Sequence, residues 1–273
     1  MTDATALLPG LAERLHERRG VRIRVFEGGD GPPLLLLHGF GGSAWNWTEV
    51  APRLPGRRLI VPDLPGHGAS SPLPAASIAG FADAVAGLLD EPAGVVGHSL
   101  GGVVALRLAE RHPELVRGLV LAAPAGISSS SRAAEVTLGL LGLVRPGRLP
   151  GRRAELVAGS PRLKRLLFGR FEVADPDSLS ARAVHGFLDA MPLHTDALGA
   201  GLALARDDPR RDLDRVRCPV LVLFGARDRQ VPLADGFEYA RRLGAGLRVI
   251  ADCGHLLIGE RPDVVARAVL EVA

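Results

Sequence analysis

The pentapeptide Gly97-His98-Ser99-Leu100-Gly101 stands between two unlike segments. The apolar run Ala93-Gly94-Val95-Val96 leads into it. Gly102-Val103-Val104-Ala105-Leu106-Arg107-Leu108-Ala109-Glu110 leads out, with the spacing of a helix. Strand, sharp turn and helix, with a serine at the apex, is the context that a G-x-S-x-G nucleophile elbow requires. So tight a turn forces the serine into a strained backbone, and its neighbours two positions away must be small for strand and helix to meet. Gly97 and Gly101 meet that need.

Further strands and helices are predicted on both sides. Leu34-Leu35-Leu36-Leu37 is a continuous apolar run between turn residues, as in a strand buried on both faces. Val21, Ile23 and Val25 alternate with arginines, which marks a half-buried strand. With Arg14 to Glu17 before it and Gly20 between, it predicts a hairpin. Trp45, Trp47, Val50 and Leu54 carry a helix-like pattern. Strands are predicted at Leu59-Ile60-Val61, Leu119-Val120-Leu121, Pro219 to Phe224 and Leu247 to Ile250. Helices are predicted over 78–89, 233–243 and 262–272. Such alternation implies an α/β fold, a mostly parallel sheet with helices on both faces.

The alternation stops near residue 127 and resumes at Pro219. Between them the sequence reads as helices separated by Pro and Gly. The expected organisation is a core of residues 1–126 and 211–273 with a helical insertion at 127–210. That insertion is expected over the carboxyl edge of the sheet, where such sheets bind ligands. Its apolar stretch Val136, Leu138, Leu140, Leu141, Leu143 and Val144 either packs on the core or lines an acyl pocket.

Composition narrows the function. The chain has 273 residues and 47% hydrophobic content, enough for a large α/β core. No stretch approaches the roughly 20 apolar residues of a membrane span. Met1-Thr2-Asp3-Ala4-Thr5 does not open a signal peptide, so an unexported, cytoplasmic protein is expected. Cys218 and Cys253 are too few for a disulfide framework. The formal net charge is +3, and Lys164 is the single lysine, so the positive charge is arginine. Arg18-Arg19, Arg57-Arg58, Arg152-Arg153, Arg210-Arg211 and Arg241-Arg242 are scattered and read as solvated surface charge. A nucleic-acid partner would want one basic patch on a recognised module, and neither is present. No cofactor and no metal is expected.

A serine hydroxyl needs an adjacent base, and the base an orienting acid. Four histidines follow Ser99. His112 ends the elbow helix, where the helix dipole favours it. His185 and His194 lie in the insertion. His255, in Asp252-Cys253-Gly254-His255, follows the last strand on the carboxyl edge and is the expected base. Asp228 ends the preceding strand and is the expected acid, so the chain order is Ser99, Asp228, His255. Asp252 competes, but three residues before the histidine it would reach the far ring nitrogen awkwardly. The backbone N–H groups of Leu100 and of Phe40, in His38-Gly39-Phe40-Gly41, are the expected oxyanion donors. His38, Asp63 and His67 are expected to bond their own loops. Strand alternation points His98 away from Ser99.

These residues, with Asp63-Leu64-Pro65-Gly66-His67-Gly68 and Gly225-Ala226-Arg227-Asp228, resemble those of the α/β-hydrolase fold family with a helical cap. The resemblance spans nearly the whole chain. It implies a serine hydrolase, and the leading expectation is a carboxylesterase that cleaves small to medium esters through an acyl-enzyme. Haloalkane dehalogenases and epoxide hydrolases of the family have aspartate where this chain has Ser99. Asp228-Arg229-Gln230-Val231-Pro232-Leu233 resembles a stretch of meta-cleavage C–C hydrolases. Those often carry an aromatic residue after the histidine, where this chain has Leu256. A C–C hydrolase, or a ligand receptor with an idle triad, is the alternative.

Overall fold

The computed structural model describes residues 7–18, 20–129, 152–169, 173–189 and 196–273. The apolar stretch 136–144, His194 and the N-terminal pentapeptide lie outside them.

Eight strands form one sheet: β1 (Ala12–Arg18), β2 (Val21–Gly28), β3 (Pro33–Leu37), β4 (Arg58–Pro62), β5 (Ala93–His98), β6 (Val116–Ala122), β7 (Val220–Gly225) and β8 (Gly246–Ile250). Their order is β1-β2-β4-β3-β5-β6-β7-β8. The hairpin β1–β2 and the β2–β4 pair are antiparallel, and every other pair is parallel. The leucines of β3 lie between β4 and β5 and are wholly buried, as their unbroken apolar run requires. Removal of each from water contributes about 1.5–3 kcal/mol.

Two helices sandwich the central strand. Gly97 and Gly94 are three apart on β5 and so face opposite sides of the sheet. Gly97 meets α2 (Leu100–Arg111), and Gly94 meets Ala273 beyond the end of α9 (Pro262–Val272). The first helix, α1 (Ile78–Ala86), is capped by Ser77, whose hydroxyl accepts from Gly80 N–H, and packs on α2. On the far side of the sheet's length, α7 (Leu233–Leu243) packs on β7 and β8 and stops at Gly244 in the left-handed conformation.

The Trp45–Leu54 pattern does not build the expected helix. It forms two short 3₁₀ turns, Ala44–Trp47 and Ala51–Arg53. The first is fixed by a capping box between Ser43 and Asn46, and the second carries Pro52 in its first turn. The indoles of Trp45 and Trp47 are buried in the core.

Between β6 and β7 the described residues hold α3 (Arg152–Ala158), α4 (Pro161–Phe168), α5 (Ala181–Leu188) and α6 (Ala197–Arg206). Three loops at the carboxyl edge of the sheet bond to this segment. Asn46 Nδ2 donates to Gly186 O at 3.0 Å, Asp196 N donates to Gly66 O at 2.9 Å, and Glu260 accepts from Ala174 and Asp175. Arg107 on α2 ties its far end, through Asp207 at 2.9 Å and Asp212 at 2.8 Å.

Candidate active site

At the end of β5 the backbone turns sharply. Ser99 has φ 53° and ψ −115°, a region that a residue with a side chain enters at a cost of roughly 1–3 kcal/mol. The turn is pinned on all sides. Ser99 N–H donates to Ala122 O at 3.0 Å, and Ser99 O accepts from Gly102 at 2.9 Å and from Ala125 at 3.2 Å. A side chain has no room at either flanking glycine. A Cβ on Gly97 would lie 2.2 Å from Gly101 O, and one on Gly101 would lie 2.3 Å from Leu37 O. Ala123, at the end of β6, also has a positive φ of 45°. Backbone strain thus collects on two adjacent strand ends.

Asp228 and His255 are brought together. His255 Nδ1 donates to Asp228 Oδ2 at 2.8 Å, with both side chains almost fully buried. The second oxygen, Oδ1, accepts from Gln230 N–H at 2.8 Å and Val231 N–H at 2.9 Å, which fixes the carboxylate plane. An imidazole held this way through Nδ1 carries its free electron pair on Nε2. Asp252 is not joined to His255; it pairs with Arg227 at 2.8 Å on the exposed surface. Among the described residues no hydrogen bond links Ser99 to His255, as is common before a substrate tightens such a site.

His98, the last residue of β5, lies against His255. Its Nε2–H donates to the carbonyl oxygen of His255 at 2.9 Å, and the two rings lie 5.0 Å apart. Burial, with His255 beside it, pulls the His98 pKa down to about 3, so the ring is neutral.

The loop after β3 lies against the elbow. A Cβ on Gly39 would stand 3.2 Å from Ser99 Cβ. His38 holds this loop: Nδ1–H donates to Gly39 O at 2.7 Å, and Nε2 accepts from Leu64 N–H at 2.9 Å. Burial lowers its pKa and keeps it neutral. Asp63 accepts from Ala44 N–H at 2.8 Å, from Ala69 N–H at 2.8 Å and from Arg24 Nε at 2.7 Å. The Arg24 guanidinium lies 5.0 Å from the Trp45 ring centroid and 5.2 Å from that of Phe26. Leu100 opens α2, so its N–H has no acceptor within the helix.

Two residues were invisible to sequence reasoning. Tyr239 is fully buried and donates to Ala125 O, which holds the chain beside the elbow. Glu260 lies in the short helix α8 (Leu257–Glu260) and accepts Gly254 N–H at 2.7 Å. Burial pushes its carboxyl pKa up against the pull of its backbone donors. Tyr239 lies in the predicted helix 233–243, but nothing in the pattern names its partner, and Glu260 falls in no motif or predicted element. Among the described residues no group of His, Cys, Asp or Glu is arranged to hold a metal, and no helix is long and apolar enough to cross a membrane.

Comparison with known proteins places the fold. The model of the alpha/beta hydrolase fold family matches residues 32–262. The chain belongs to that family, and it is an enzyme of the hydrolase class. It is 36% identical to a pimeloyl-[acyl-carrier protein] methyl ester esterase of Aromatoleum aromaticum, over 88% of this chain and 98% of that protein. It is 34% identical to the protein of the same name from Neisseria meningitidis, over 81% of this chain and 84% of that one. Among solved structures, a thermophilic esterase from Thermogutta terrifontis superposes with a TM-score of 0.74 at 27% identity, covering 96% of this chain and 97% of the other.

Proposed function

We propose that the protein is a carboxylic ester hydrolase that works through an acyl-enzyme on Ser99. The observation that carries this reading is the buried Asp228–His255 pair on the carboxyl edge beside a strained serine. The named relatives, esterases over most of their length, support the same reaction class.

In the proposed mechanism His255 Nε2 takes the proton of Ser99 Oγ as that oxygen attacks the ester carbonyl. Asp228 holds the tautomer and stabilises the imidazolium. The N–H groups of Phe40 and Leu100 meet the oxyanion, each such donor being worth about 10²- to 10³-fold in rate. The tetrahedral intermediate collapses as His255 returns the proton to the alkoxide. Water then repeats the sequence on the acyl-enzyme.

Residues 127–210 act as a cap that sets the acyl chain. The bonds from Gly186, Asp196, Ala174 and Asp175 to the carboxyl-edge loops support this. So does the packing of Leu256, next to His255, into the cluster of Phe168, Leu179, Val184 and Leu188. Small to medium esters, methyl esters among them, are the proposed substrates.

The test joins a fluorophosphonate label to a panel of methyl and p-nitrophenyl esters of graded acyl length. Ser99 is expected to be labelled, short and medium esters to turn over, and Ser99→Ala to lose at least about 10⁴-fold while staying folded. A folded Ser99→Ala protein that keeps most activity sinks the mechanism. A meta-cleavage dienoate preferred by orders of magnitude makes the protein a C–C hydrolase.

A further inference from the structure

The backbone that carries His255 is held from three directions. Asp228 grips the imidazole, His98 grips the carbonyl oxygen, and Glu260 grips the N–H of the preceding residue, Gly254. The first two anchors come from strand ends, Asp228 from the loop after β7 and His98 from the end of β5. The third reaches further. Glu260 Oε1 accepts Gly254 N–H at 2.7 Å, while Oε2 accepts Ala174 N–H at 2.8 Å and Asp175 N–H at 3.3 Å, both in the proposed cap. One buried carboxylate, 5% exposed, therefore spans the histidine loop and the cap. Apolar packing runs parallel to it. Leu256 belongs to the cap's hydrophobic cluster, and Gly259 lies so close to Phe187 that a Cβ would stand 2.6 Å from its ring.

We infer that Glu260 is a positioning residue: its carboxylate ties the His255 backbone to the cap, so that imidazole alignment depends on the cap's seat over the site. The inference rests on the ester-hydrolase reading above. A single ionised carboxylate suits the task because its two oxygens accept in different directions and three of its four donors are backbone groups, which no side-chain rotation can release; the fourth is the Cys253 thiol, 3.8 Å from Oε1. An amide in its place has one acceptor oxygen, and its NH₂ faces N–H groups on one side. The bond to the histidine loop or the bonds to the cap must then be lost.

The experiment compares Glu260→Gln and Glu260→Asp with the native protein, below the melting temperature of each. The readouts are kcat and KM on a short ester and the rate of fluorophosphonate labelling at Ser99. Misplacement of a catalytic group by about 1 Å can cost on the order of 100-fold. Glu260→Gln is accordingly expected to lower kcat and the labelling rate together by about 10- to 100-fold, with KM within about twofold. Glu260→Asp keeps the charge but shortens the span, and is expected to fall between the two. A purely structural role would lower the melting temperature and leave both rates at the native value, which overturns the inference. So does failure of both variants to fold, since Glu260 is then a folding residue. If native Ser99 takes no label and no ester turns over, the ester-hydrolase reading itself falls, and this one with it. A native enzyme with an indifferent Glu260 removes this inference alone.

Discussion

His98 Nε2–H donates to the carbonyl oxygen of His255 across 2.9 Å, joining residues 157 positions apart in sequence. The neighbour of the proposed nucleophile thus holds the backbone of the proposed base. The bond needs a proton on His98 Nε2, and with its pKa pulled down to about 3 the ring is neutral and carries its single proton there.

His98→Phe keeps a ring in place but strands the His255 carbonyl without its donor. An unsatisfied buried group costs about 1–3 kcal/mol. Activity is expected to fall about tenfold, through displacement of His255. The kcat/KM profile against pH should keep its native acid limb, because His98 does not titrate in that range. An acid limb that vanishes with His98 would make His98 the base.

Asp228→Asn is expected to be severe and Asp252→Asn mild. The first loses the acceptor that orients His255, a change that costs about 10⁴-fold in comparable triads. The second breaks only an exposed ion pair with Arg227. Steady-state rates on one ester decide the matter. The reverse order of severity would transfer the orienting role to Asp252.

Gly101→Ala should destabilise the fold by about 1–3 kcal/mol or more. The added carbon would stand 2.3 Å from Leu37 O, a backbone atom that cannot rotate away. Urea unfolding measures the loss. A midpoint equal to the native one would show that α2 can lift off β3 freely.

Stability should fall as pH rises through the range where Glu110 ionises. Burial pushes this carboxyl up to about 7, even though Arg107 is hydrogen-bonded to it and the charged form of Arg107 is favoured by its carboxylates. One guanidinium cannot offset Asp207, Asp212 and Glu110 together. The folded state therefore binds this proton more tightly than the unfolded chain, whose glutamates titrate near about 4.3. Stability is favoured below that value and lost as pH rises to about 7. Melting temperatures across this window should slope downward in the native protein and less so in Glu110→Gln. Equal slopes would place the titration elsewhere.

Much of the fold is legible because its signals are local. The helices predicted over 233–243 and 262–272 are Leu233–Leu243 and Pro262–Val272. The leucine run is a strand buried between two parallel neighbours. Periodicity and turn chemistry act within a few residues, so the order of strands and helices is written along the chain. The placement of Ser99, Asp228 and His255 is legible too, since each follows a strand and a parallel sheet gathers its strand ends on one edge.

The tertiary structure alone decided how those residues are held. Alternation says only that His98 points away from Ser99; its partner, the carbonyl oxygen of His255, lies 157 positions on and comes from packing. The tryptophan pattern after Ser43 fitted a helix, yet the capping box and Pro52 made two 3₁₀ turns of it. Glu260 sits in an unpatterned tail, and its donors come from Gly254 in its own loop and from Ala174 and Asp175, 86 and 85 positions away. A buried carboxylate finds such partners only after the chain has packed, because they are backbone groups that every residue type except proline carries alike. Composition and spacing hold no trace of them.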